Sequence, residues 1–130
     1  MLLKVLFIFL LTLCFGCSDN PSVRAKEFLK NAYDGNNMQA DEWLTKSGQS
    51  SRFFNTFGGI NALVKYCSAE AKRNQGLKKI NIISIKQKDK LTLIETEVVF
   101  NNNTTSTSVS AWIKEDGKWK TTPEAENDGE

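Results

Sequence analysis

Glu95 and Glu97 stand two residues apart in a β-branched stretch, so a strand there puts both carboxylates on one face. If that face lined a cavity, the pair could share a proton and work as acid and base; the plainer outcome is a solvated face. Partners for such a pair are few. The chain has no histidine, which removes the commonest general base and a common metal ligand together. The two tyrosines are Tyr33 and Tyr66, and the three cysteines are Cys14, Cys17 and Cys67. Cys14 and Cys17 sit within and just after the apolar N-terminal run, which leaves Cys67 alone in the rest of the chain, so a structural zinc site lacks ligands and an internal disulfide lacks a second thiol. Cys67 falls on the apolar face of a predicted helix, where a small core residue is expected rather than a reactive thiol. No metal or other cofactor is expected, and no catalytic residue stands out.

Cys17 carries a different chemistry. Met1 to Gly16 holds one charge, Lys4, then the apolar run Val5 to Phe15, then a small residue, which is the pattern of a secretory leader. A membrane-spanning helix needs about 20 apolar residues, and this run stops short. Leu13-Cys14-Phe15-Gly16-Cys17 resembles the bacterial lipobox, with Gly16 as the small residue and Cys17 as the acceptor. Cys14 follows the bulky Leu13 and is the poorer acceptor. The resemblance implies a diacylglycerol on the Cys17 thiol. Buried acyl chains contribute about 0.8 kcal/mol per methylene, so two or more anchor stably. Ser18, where an aspartate would signal inner-membrane retention in a Gram-negative cell, tilts the expectation toward the outer membrane, and Asp19 pulls the other way.

The net charge of +2 is unevenly spread. Lysines cluster between Lys65 and Lys90, while Glu124, Glu126, Asp128 and Glu130 crowd the end. The basic residues are not interleaved with aromatics, so nucleic acid is not an expected partner. The acidic end reads as a disordered tail.

The elements that would hold these groups follow from periodicity. Asn20 offers an N-cap and Pro21 a first helical position; Ala25, Phe28, Leu29, Ala32 and Tyr33 then recur at helical spacing until Gly35. A short second helix is predicted between Asn37 and Thr45, and Lys46 to Ser51 reads as a loop. Phe53, Phe54 and Phe57 form an aromatic cluster before Gly58-Gly59, which marks a mobile pocket lip if a pocket exists. Ile60, Leu63, Val64, Cys67 and Ala71 predict a third helix ending near Gly76. Beyond Leu77 the period changes to two, with strands over Ile80–Ile85, Leu91–Phe100, Thr104–Glu115 and Lys118–Thr122. Asp116-Gly117 closes the last hairpin. The fold class is α+β, with N-terminal helices on a curved antiparallel sheet of about four strands, after an N-terminal signal helix.

The helix ending at Asp34-Gly35, the segment Ala40 to Thr45 and the final Trp112-Ile113-Lys114-Glu115-Asp116-Gly117-Lys118-Trp119-Lys120 resemble the nuclear transport factor 2-like superfamily, and especially its small lipoprotein branch. The resemblance implies a cone: a curved sheet wrapped around helices, with Trp119 packed against the first helix and Trp112 able to take either face. The candidate residues for its cavity are Tyr33, Trp43, Phe54, Phe57, Tyr66, Glu95, Glu97 and Trp112. The implied organisation is a lipoprotein signal peptide over 1–16, a lipidated linker over 17–20, the cone domain over 21–123 and the acidic tail over 124–130. The expected function is a membrane-anchored, non-catalytic binding or accessory module of the bacterial cell envelope, with an envelope protein or a small apolar ligand as partner. The alternatives are an isomerase- or hydrolase-like enzyme using a cavity carboxylate, and a surface inhibitor or exclusion lipoprotein.

Overall fold

The structure, a computed structural model, describes residues 20–122. The leader, Cys17, the tail and the side chains of Phe53 and Phe54 lie outside the described residues. Helix α1, Pro21–Asp34, begins where the Asn20 side chain accepts the Ser22 backbone N–H at 2.9 Å. It ends at Gly35, whose φ of 76° lets its N–H return to the Ala32 carbonyl. Ala25, Phe28, Ala32 and Tyr33 form its buried stripe.

The next segment departs from the predicted second helix and loop. It folds as α2, Ala40–Trp43, and α3, Lys46–Gln49, with a break between them. The reason is sheet pairing: Leu44 is extended and bridges Thr121 in parallel, and the Thr45 N–H donates to the Thr121 carbonyl at 3.1 Å. Thr45 then restarts a helical turn, its Oγ1 accepting the Gly48 N–H at 2.9 Å. Arg52–Phe57 forms α4, and α5 spans Gly59–Arg73 with Ile60, Val64, Cys67 and Ala71 buried. Gly58, at φ 114°, makes the corner between them; a Cβ there would stand 2.8 Å from the Ala62 Cβ. The described residues therefore hold five helices where periodicity predicts three. None is long and apolar enough to cross a membrane.

Strands β1, Leu77–Lys88, β2, Leu91–Phe100, β3, Thr105–Glu115, and β4, Lys118–Thr122, form an antiparallel meander in chain order. Period-two patterning locates β2 and β4 at their predicted ends, while β1 starts three residues earlier than the Ile80–Ile85 run. A bulge between Ile82 and Ser84 bends β1 and adds to the curvature of the sheet. Helices cover the face carrying Ile94, Val98, Phe100 and Trp112. The core closes on aromatic contacts: Phe28 lies 5.6 Å from Trp43 and 5.9 Å from Trp112, and Tyr33 meets Phe100 at 5.5 Å. The architecture is the α+β cone that the sequence predicts.

Candidate functional site

The interior of the cone is occupied by its own side chains. Trp112 is 0 % exposed, and its indole N–H donates to Ser110 Oγ at 2.8 Å. Trp43 is buried beneath Arg24, whose guanidinium stacks 3.9 Å from the ring centroid. The same guanidinium donates to the Glu42 carbonyl at 2.8 Å and to the Trp119 carbonyl at 3.2 Å, so one side chain ties α1 to α2 and β4. Trp119 packs against this core, as expected. Its indole N–H is buried without a hydrogen-bond partner among the described residues, which costs about 1–3 kcal/mol.

The carboxylate pair faces the other way. Register pairs Thr96 with Ile82 and Ser108 on the helix side, and pairs Glu95 with Ser84 and Val109, and Glu97 with Asn81 and Thr107, on the opposite side. Ser84 Oγ donates to Glu95 Oε1 at 3.1 Å and the Asn81 amide donates to Glu97 Oε1 at 3.1 Å. The pair shares one face, as the spacing requires, but that face turns away from the helices.

The remaining candidates are scattered. Tyr66 is 57 % exposed on the outer side of α5 and Phe57 is 48 % exposed, so neither joins the interior. The Phe54 side chain lies outside the described residues. Tyr33 is buried, and its hydroxyl donates to Glu70 Oε1 at 3.0 Å. Burial, then the neighbouring Cys67 and Glu70, push its ionisation above the usual tyrosine range. Burial, then the Glu70 charge, push the Cys67 thiol up to about 11, against a smaller pull from Tyr33. Both stay protonated at neutral pH, so neither is an activated nucleophile or base. Of the proposed cavity set, Trp43 and Trp112 are core, Glu95 and Glu97 lie on the far face, and Phe57 and Tyr66 are on the surface, whereas Tyr33, bound to Glu70, does line a hollow.

Two hollows open beside α1 instead. One, about 610 Å³, lies between the end of α1 and the second half of α5, against Tyr33, Asp34, Ser68, Lys72 and Gln75. The other, about 420 Å³, runs between α1 and the start of β1. Val23, Leu77 and Ile80 floor it, while Lys26, Lys30, Lys78 and Lys79 rim it with Glu27 as the sole carboxylate. Sequence reasoning missed this groove. Its signal was the stripe Val23, Lys26, Glu27, Lys30 on one helix face together with the Lys78-Lys79 pair.

With this geometry in view, the comparisons fix the family. A crystal structure of a "Putative NTF2-like transpeptidase" from Campylobacter jejuni superposes with a TM-score of 0.67 at 30% sequence identity, covering 80% of this chain and 98% of that one. The chain belongs to the nuclear transport factor 2-like family. No protein-family description and no curated protein matches it.

Proposed function

We propose that the chain is a lipid-anchored, non-catalytic binding module of the bacterial cell envelope. The observation that carries this reading is the filled interior: Phe28, Trp43 and Trp112 pack on one another between the helices and the sheet. Two further features agree. The strand carboxylates face away from the helices. The structural neighbour is named a transpeptidase, yet this sequence contains neither a Ser-x-x-Lys nor a histidine to assist a thiol. An accessory role beside peptide-linking enzymes of the envelope fits that neighbour's name better than catalysis by this chain. The anchor is Cys17, which carries the acyl chains in this reading.

The test is metabolic labelling with a clickable fatty acid, with fractionation, of the native chain and of Cys17→Ser and Cys14→Ser. Cys17→Ser is expected to lose label and leave the membrane fraction, while Cys14→Ser keeps both. Persistence of Cys17→Ser in membranes contradicts the anchor. For the binding role, a pulldown from native membranes is expected to enrich an envelope protein with the native chain; recovery of no partner counts against an accessory module.

A further inference from the structure

We propose that the groove between α1 and β1 seats anionic phospholipid headgroups of the membrane in which the chain is anchored. Lys26, Lys30, Lys78 and Lys79 would meet the phosphates, and the floor of Val23, Leu77 and Ile80 the glycerol end of the lipid. The inference rests on the anchored reading above and adds to it an orientation and a ligand.

Three observations carry it. The first is charge. Four lysines surround the groove against one carboxylate, and among the described residues no ion pair engages Lys26, Lys78 or Lys79. Lys30 reaches Asp34 at 2.8 Å, but with 69% of its side chain exposed this is a surface pair that a phosphate can replace. The second is the kind of cation. The rim has lysine and no arginine, so it offers mobile point charges on aliphatic stems rather than planar forks. The floor is aliphatic without an aromatic ring on which a nucleobase could stack, and Val23 is 39% exposed. A lipid phosphate above an apolar shoulder matches both halves of the groove.

The third is reach. Cys17 is four residues before Pro21, and an extended chain spans at most about 3.6 Å per residue, so the helix starts within roughly 14 Å of the acylated residue. Val23 lies in the first turn of α1, with Lys26, Glu27 and Lys30 following on the same face. The tether therefore holds the groove near the headgroup layer, where the screening length of about 8–10 Å leaves the lysines within the field of anionic lipid. Tethering also keeps the local lipid concentration high, so a weak site fills.

The full chain, purified with its acyl chains, is reconstituted into vesicles of phosphatidylcholine alone or with phosphatidylglycerol. A membrane-impermeant amine reagent is applied, and modification is read lysine by lysine by mass spectrometry. Lys26, Lys30, Lys78 and Lys79 are expected to react at least about threefold more slowly in the anionic vesicles, with high salt removing the difference. In Lys26→Glu/Lys79→Glu, whose fold is checked by thermal unfolding, Lys30 and Lys78 are expected to lose their protection. Equal reactivity of the groove lysines in the two vesicle types overturns the proposal, as does protection surviving the double substitution. The mass of the Cys17 peptide reports the anchor separately. An unmodified Cys17 refutes the anchor alone, and failure of such a chain to associate with anionic vesicles refutes the groove too.

Discussion

The aromatic interior and the α1–β1 groove are both partly apolar, and both are built on α1, but they face opposite fates. Phe28 spends its ring on Trp43 and Trp112, and Arg24 spends its charge on Trp43 and on two carbonyls. On the neighbouring face of the same helix, Val23 remains exposed and Lys26 has no ion-pair partner among the described residues. The difference teaches where binding capacity remains. Side chains already packed and hydrogen-bonded contribute stability, whereas an apolar floor with unpaired cations keeps its interaction energy for a partner.

Breaking the interior gives the largest effect. Trp112→Ala removes a fully buried indole and is expected to cost about 4 kcal/mol, read as a lower urea midpoint. Arg24→Ala removes the clamp between α1, α2 and β4 and is expected to cost about 2 kcal/mol; Arg24→Lys, keeping the charge without the planar fork, recovers only part of it. Tyr33→Phe leaves Glu70 without its donor and is expected to cost about 1 kcal/mol. The groove should answer in the opposite sense. Val23→Ala is expected to leave stability within about 0.5 kcal/mol while reducing the lipid protection of its lysine neighbours.

The buried thiol adds a pH dependence. Its ionisation is raised in the folded state, so the unfolded chain loses that proton first as pH rises. The contribution is fully present below the ordinary thiol value near 9 and is lost as pH climbs through about 11. Tyr33, also raised, acts in the same direction at higher pH. Urea midpoints taken across that alkaline window are expected to fall for the native chain, and Cys67→Ala is expected to flatten the fall.

Much of the fold is legible because local rules and global packing agree. Asn20, Pro21 and Gly35 bracket α1, and Asp116-Gly117 closes the last hairpin, each by backbone chemistry that acts within a few residues. The segment from Ala40 to Gln49 was less legible, because its break at Leu44 depends on Thr121, far away in sequence. Tyr66 could have been excluded from the interior by periodicity, since it lies off the stripe Ile60, Val64, Cys67 and Ala71. The direction of Glu95 and Glu97 could not be settled so simply. Apolar residues occupy both parities of β2, and only the helices packed over Ile94 and Val98 decide which face is inside. The groove is harder still, since α1 and β1 are joined only by tertiary packing.

The most direct test of the contrast between a closed interior and a working surface beside the anchor is photocrosslinking in intact cells. A photoreactive residue is placed at Val23 in one strain and at Val109, on the sheet face that turns away from the helices, in another; both positions are exposed. Crosslinked adducts are then identified by mass spectrometry. Phospholipid adducts are expected at position 23 and none at position 109. Equal lipid labelling at the two positions, or none at position 23, would contradict that contrast.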